Sequence, residues 1–239
     1  MDKNRSETTL FIMQSLDGKI STGDVDERDQ EMDFPRIKGI KEGNYQYYEF
    51  LFKTERNALI SGKVLSKIGV NLREKPGNFK DVSLIIIDRK PHLTKNGIKY
   101  LINSHKSVYI VTNNKNHPAF EFSDEQNLYI IFYQNEIDME DLLVKLKQDF
   151  NIKDLSIQSG GTLNSFFLRK KLIDHISLII APCIICGKET PTSFDGIAPR
   201  KDKDLYNIKA LKLEKCEVLK HSYIYLYYDV INETSIEEI

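Results

Sequence analysis

The run VSLIIID at residues 82–88 constrains the fold more than any other stretch of this chain. From Leu84 to Ile87 nothing in it is polar, so a strand built from it must be covered on both faces. Strands of that kind belong to parallel sheets, where crossover connections lay helices over the faces. The rest of the chain agrees. TTLFIMQSL (8–16), NALIS (57–61), SVYIVTNN (107–114), NLYIIFY (127–133), DLSIQ (154–158) and HISLIIAP (175–182) read as strands, the last again buried on both faces. Between them, NYQYYEFLFKTER (44–56), GKVLSKIG (62–69), GIKYLINSH (97–105), MEDLLVKLKQDF (139–150) and TLNSFFLRKKL (162–172) read as helices. The first carries an apolar stripe at Tyr47, Phe50 and Leu51. The fourth turns Leu142, Leu143, Leu146 and Phe150 inward, with Asp138 as its N-cap. The end of the chain reads as two long strands joined by a tight turn near Lys220–Ser222. In the second of them Ile224, Leu226, Tyr228 and Val230 alternate against Tyr223, Tyr225 and Tyr227. The pattern predicts an α/β fold over residues 1–239 as a single domain. Its sheet is mostly parallel, with a C-terminal antiparallel hairpin.

Charge excludes one class of partner. Lysine and arginine number 34 against 35 acidic residues, so no basic field points to nucleic acid. The opening MDKNRSETT has no apolar core of a signal peptide, and ISLIIAPCII is too short to span a membrane and contains a proline. Three cysteines, an odd and sparse count, fit a reducing cytoplasm. Cys183 and Cys186 form a C-x-x-C with no second ligand pair at zinc-site spacing, so they read as two small core residues and no metal is expected.

Two junctions carry the functional signal. In ISGKVLSKIG a strand ends, Gly62 turns the chain and a helix begins beside Lys63; SGGTL at 159–163 repeats the arrangement. The free N–H groups and positive dipole of such helix starts favour anions, and two of them suit a ligand with several phosphates. Adjacent glycines at 160 and 161 suggest that something approaches the backbone closely. Neither motif is G-x-G-x-x-G, and no Walker A segment is present. Asp17-Gly18 in SLDGKIS is a turn pair after a strand, and residues 17–40 form a long polar loop suited to a lid.

Taken in order, SLDGKI, SGKVLSKIG, QSGGTLNSFFLRKKLIDHISLIIAP and CGKETPT resemble the reductase half of the bacterial riboflavin-biosynthesis deaminase–reductase and its stand-alone relatives. No H-x-E occurs in the sequence, so the H-x-E with P-C-x-x-C zinc signature of the deaminase half is incomplete, although Pro182-Cys183-x-x-Cys186 has the form of its second part. The resemblance implies the three-layer dihydrofolate reductase-like fold, a homodimer, and NADPH-dependent reduction of 5-amino-6-(5-phosphoribosylamino)uracil or a related pathway intermediate. It implies that the cofactor's pyrophosphate meets Gly62, Lys63 and Val64 at one helix start, and Ser159, Gly160, Gly161, Thr162 and Leu163 at the other. A cis peptide between the paired glycines of dihydrofolate reductases suggests one at Gly160–Gly161. Arg89 and Lys90, just beyond the apolar strand, are placed for the 2′-phosphate. Ser15, Asp17, Arg73 and Gln158 are the substrate candidates, and Asp17, Lys63 or a bound water the candidate proton sources.

The sequence also departs from that family. Gln158-Ser159 stands where the family has glutamate and glycine, SKIGVNLRE lacks an aspartate pair, and Cys186 replaces a glycine. These departures leave a catalytically inactive NADPH-binding protein as one alternative. A dihydrofolate reductase-type pterin reductase is the other, and it requires a buried carboxylate from Glu42 or Glu49.

Overall fold

The computed structural model describes residues 4–54, 56–75 and 77–237. Residue 55, the last but one of the helix read over 44–56, and the first three residues of the opening segment lie outside them. In chain order the main elements are β1 (Glu7–Ser15), α1 (Gln30–Asp33), α2 (Tyr45–Thr54), β2 (Asn57–Ser61), α3 (Gly62–Lys67), β3 (Lys80–Ile87), α4 (Lys95–Ser104) and β4 (His105–Thr112). They continue with β5 (Leu128–Phe132), α5 (Met139–Gln148), β6 (Asp154–Gln158), α6 (Gly161–Arg169), β7 (His175–Ala181), β8 (Ala210–Val218) and β9 (Ile224–Ile231). The chain divides into two compact units, Met1–Ser6 with Glu55–Ser159, and Glu7–Thr54 with Gly160–Ile239.

In the first unit the strands lie in the order β5-β4-β3-β2-β6, and all four pairings between neighbours are parallel. The apolar run of β3 sits at the middle, with Leu84, Ile85, Ile86 and Ile87 all buried. Register puts Ile60, Ile86 and Ile110 in one row across β2, β3 and β4. Ile98, Leu101 and Ile102 of α4 belong to the same apolar cluster. α5 begins where its sequence says, since the Asp138 carboxylate accepts the N–H groups of Glu140 and Asp141. Leu142, Leu143 and Leu146 are fully buried. Phe150 falls beyond the helix and packs edge-on against Tyr109 and Tyr129.

In the second unit β1 pairs parallel with β7, and β7-β9-β8 continues antiparallel. The chain reverses at Lys220–Ser222, where His221 and Ser222 adopt left-handed backbone angles. One face is well covered: Phe11, Met13, Ile179, Tyr223 and Tyr225 pack with Phe34, Ile40 and the predicted stripe Tyr47, Phe50 and Leu51 of α2. Phe50 stacks on Tyr225 at 4.4 Å between centroids, and Tyr47 on Phe11 at 5.0 Å. The expectation that β7 is buried on both faces fails for Leu178 and Ile180, which are half-buried. They share a face with Ile224, Leu226 and Tyr228 of β9, also half-buried, and with Leu211, Leu213 and Val218 of β8, which are exposed. Helical cover runs out toward the hairpin, so the apolar composition of β7 reads as more burial than the unit itself supplies.

Two further readings change. Residues 17–40 are no open loop, because they fold over α1 and bury Lys19, Ser21, Gln30, Asp33, Phe34 and Ile40. Asp33 collects the Thr22 hydroxyl and the Arg28 guanidinium, with Arg36 3.6 Å away, and local bonds of this kind let a polar segment pack. Cys183 and Cys186 are not a pair of core residues. Cys183 is half-buried, while Cys186 is exposed in a left-handed turn.

Candidate active site

In the first unit, the turn from β2 into α3 is built around an internal anion. Ser61 caps the helix, its Oγ accepting the Val64 N–H at 3.3 Å. Gly62 is buried, and a Cβ there would collide with the carboxylate of Asp88. The glycine at 62 is therefore required by the chain itself, and the anion at this helix start is Asp88. Lys63 is exposed and Val64 half-buried on the first turn.

Asp88 follows β3 and is 1 % exposed. Burial opposes its ionisation. Hydrogen bonds from His117, from the His92 ring and from the N–H groups of His92 and Leu93 outweigh that cost and hold its carboxyl below the ordinary carboxylate range. Arg89 and Lys90 come next and are exposed, at the carboxyl end of β3 where the sequence placed them. Arg73 is also exposed, its guanidinium 5.2 Å from the centre of the Tyr100 ring and hydrogen-bonded to the Tyr100 hydroxyl and the Ile68 carbonyl. Gln158 ends β6 opposite Ile60, half-buried, and Ser159 behind it is buried.

In the second unit, the two glycines at the start of α6 differ. Gly161 is packed: a Cβ there would strike the Thr192 carbonyl oxygen and the Asp195 carboxylate. Gly160 has neither reason to be glycine. Its backbone, φ −77° and ψ 163°, suits any residue, and a Cβ would meet nothing within 4 Å. No side chain caps this helix. Thr162 is exposed and Leu163 half-buried on its first turn. The peptide bonds among the described residues are all trans, which corrects the cis bond expected at Gly160–Gly161. The extended geometry at Gly160 starts the helix without a cis bond, a state that costs about 3–4 kcal/mol outside proline.

The SLDGK turn is a second local construction. The Ser15 hydroxyl donates to Asp17 at 2.5 Å and accepts the Lys19 N–H at 3.0 Å. Asp17 also accepts the N–H groups of Ile185 and Cys186, at 3.1 and 2.8 Å. These bonds, the Ser15 hydroxyl foremost, bring the Asp17 carboxyl down to about 2. Both candidate residues are thus committed to pinning the 183–187 segment. Lys19, which sequence reasoning passed over, is buried with its Nζ on the Thr190 carbonyl at 2.9 Å. A lysine directly after a turn pair is the only sign the sequence gave of it. Glu49 is exposed on α2, and Glu42 accepts the Gly39 N–H, so neither is the buried carboxylate a pterin reductase requires.

Among the described residues no group of three or more His, Cys, Asp or Glu side chains is arranged to hold a metal ion. No helix among them is long and apolar enough to cross a membrane.

The RibD C-terminal domain family model matches residues 7–225, and the chain belongs to that family. Over 73 residues it is 33% identical to the 2,5-diamino-6-ribosylamino-4(3H)-pyrimidinone 5′-phosphate reductase of Aquifex aeolicus, covering 30% of this chain and 32% of that protein. Among solved structures, RibD of Acinetobacter baumannii superposes with a TM-score of 0.67 at 18% identity, over 95% of this chain and 59% of that one. The riboflavin biosynthesis reductase Rib7 of Saccharomyces cerevisiae gives a TM-score of 0.61 at 17% identity, over 96% of this chain and 92% of its own. The chain thus spans about a third of the matched Aquifex protein and under two thirds of the Acinetobacter one. The structural likeness fixes the fold, an α/β architecture with a mostly parallel sheet and antiparallel C-terminal strands.

Proposed function

We propose that this chain is an NADPH-dependent reductase of a phosphoribosylamino-pyrimidine in riboflavin biosynthesis, 5-amino-6-(5-phosphoribosylamino)uracil being the specific substrate. The observation that carries the reading is Gly160. Neither backbone conformation nor packing calls for glycine there, and the missing side chain leaves the uncapped start of α6 open to phosphate oxygens. Family membership and the names of the relatives support the substrate class. The residues present fit a dinucleotide, and when bound its nicotinamide supplies the hydride.

The side chains bind and orient. In the second unit the N–H groups at the start of α6 take the pyrophosphate, flanked by Thr162 and Leu163, with Ser159 preceding them. In the first unit Arg89 and Lys90, exposed at the carboxyl end of β3, are the basic groups suited to a phosphate. There Gln158 keeps the hydrogen-bonding shape of a glutamate without its charge, and Arg73 is the partner for a substrate phosphate. A carboxylate held near 2 donates no proton at neutral pH, so Asp17 serves to fix the loop at 183–187, and the proton comes from Lys63 or a bound water. The exposure of Glu49 speaks against the pterin-reductase alternative. The apolar face of β7, β9 and β8, half-buried on β7 and β9 and exposed on β8, supports a homodimer in which a second copy covers it. We place the chain in the cytoplasm, in keeping with its three free cysteines.

The test is a thermal-shift titration with NADPH and NADH, followed by NADPH oxidation with the aminouracil phosphate. Gly160→Val is expected to remove cofactor stabilisation while the unliganded fold is kept with a Tm lowered by only a few degrees, because a Cβ there meets nothing within 4 Å and the loss is confined to a poorer N-cap for α6. No stabilisation of the wild type by either cofactor at millimolar concentration would sink the reading.

A further inference from the structure

Residues 190–195 run as a strap between the turn after β1 and the first turn of α6, all within the second unit. On the β1 side the Ile20 N–H donates to the Pro191 carbonyl at 3.0 Å and the Ser193 N–H to the Gly18 carbonyl at 3.1 Å. Lys19 and Thr192 pair there as an antiparallel bridge. On the α6 side the Asp195 N–H donates to the Gly161 carbonyl at 3.1 Å, and the Asn164 amide to the Ser193 carbonyl at 2.9 Å. The Thr192 carbonyl and the Asp195 carboxylate fill the space that a side chain at 161 would take. The strap is therefore the surface against which the first turn of α6 is set.

Lys19 adds an anchor of a different kind. Its backbone is held by three bonds: its N–H donates to the Ser15 hydroxyl at 3.0 Å, and its carbonyl accepts the Ser15 N–H at 2.9 Å and the Gln30 amide at 2.7 Å. From that fixed base the side chain crosses to the strap and gives its Nζ to the Thr190 carbonyl at 2.9 Å. Lys19 is 9 % exposed, and among the described residues that carbonyl is the one partner of its Nζ. A buried cation with no carboxylate beside it costs stability, and an unbranched apolar side chain of similar length avoids that cost. The N–H groups of Ile20 and Ser193 already join the strap to the turn, so closing the fold does not call for the lysine. What the lysine adds is a third anchor and a positive charge on the strap that backs a helix start with no capping side chain. A costly group retained at such a place points to ligand binding rather than to folding.

We propose that Lys19 is a positioning residue for the start of α6: by anchoring the strap at Thr190 it sets how the first-turn N–H groups of that helix meet a bound ligand. The proposal rests on the reading that α6 receives the cofactor's pyrophosphate. The test combines titration calorimetry with NADPH, urea denaturation and amide hydrogen exchange on the wild type, Lys19→Met and Lys19→Arg. Lys19→Met should keep or raise the urea midpoint, because it removes a buried charge. It should nevertheless weaken NADPH about tenfold, the worth of one hydrogen bond to a charged group, and speed exchange at the Ser193 and Asp195 amides. Lys19→Arg, which keeps a donor for the Thr190 carbonyl, should bring NADPH back to within about threefold of the wild type. A lysine that serves only the fold gives the reverse, a lower midpoint in Lys19→Met with unchanged NADPH affinity. Unchanged affinity in that variant overturns the role of Lys19 and leaves the cofactor reading standing, and wild-type exchange at its strap amides overturns the strap as the route. If Lys19→Met does not fold, the wild type decides: NADPH should slow exchange at Ser193 and Asp195, by the reciprocity of coupled sites, and unchanged exchange there overturns the proposal. A wild type that binds no NADPH at millimolar concentration overturns the cofactor reading and the proposal with it.

Discussion

At the scale of single residues, three glycines that look alike in sequence do three different things. Gly62 makes room for Asp88, Gly161 for the Thr192 carbonyl, and Gly160 for nothing in the chain. Gly161→Ala should therefore lower stability by about 1–3 kcal/mol, the usual penalty of forcing a group into a packed site, whereas Gly160→Ala should be near neutral. Urea denaturation of both variants measures the difference, and equal midpoints would contradict it. Asp17 gives a prediction with a sign in pH. Its folded pKa lies near 2, below the ordinary 3.8, so its contribution is present above about pH 4 and fades as pH falls toward 2. The amides of Ile185 and Cys186 should lose hydrogen-exchange protection over that window, and in Asp17→Asn they should be weakly protected at every pH. Unchanged protection in that variant would show that the clamp is idle. The glycines themselves were legible in the sequence. Which of them serves the fold was not, because the Asp88 carboxylate reaches Gly62 from a neighbouring strand 26 positions along the chain, and no local pattern encodes that.

At the scale of elements, period carried most of the fold. Each strand and helix read from alternation or a helical stripe has its counterpart, and the Asp138 cap falls where the sequence put it. Period failed where burial depends on what lies outside the element. The apolar run of β3 is covered on both faces, whereas the similar run of β7 leaves Leu178 and Ile180 half-buried. Hydrophobicity along a strand records that a face is covered at some stage, without saying by which surface. In the proposed homodimer the cover is a second copy, so Leu213→Lys on the exposed strand β8 should shift sedimentation from dimer to monomer at micromolar concentration. A wild-type chain that sediments as a monomer would reject the dimer outright. The segment over residues 17–40 was misread for the opposite reason. Its polar composition hides a packed interior in which Asp33 accepts the Thr22 hydroxyl and Gln30 donates to the Lys19 carbonyl.

At the scale of the whole molecule, acid sensitivity and the path of folding follow from the architecture. His105 is buried at the start of β4, and burial brings its pKa down from 6.5 to about 4. The folded state resists the proton that the unfolded chain takes up, so stability falls as pH drops from about 6.5 to 4, by roughly 3 kcal/mol for this group. His105→Gln should flatten that part of the stability curve, and an unchanged slope would assign the acid loss elsewhere. The two units also differ in how they are written along the chain. The first is nearly continuous, from Glu55 to Ser159, while the second is interrupted by it. β1 must wait for β7, because Thr9 pairs with His175. At about 5–20 residues per second on the ribosome, the first strand spends on the order of ten seconds or more without its partner. During that interval Leu10, Phe11, Ile12 and Met13, all destined for burial, have no native neighbour in the strand that will pair with them. The interrupted unit is thus the one whose first apolar strand stays longest without its partner during synthesis, the condition under which exposed strands aggregate.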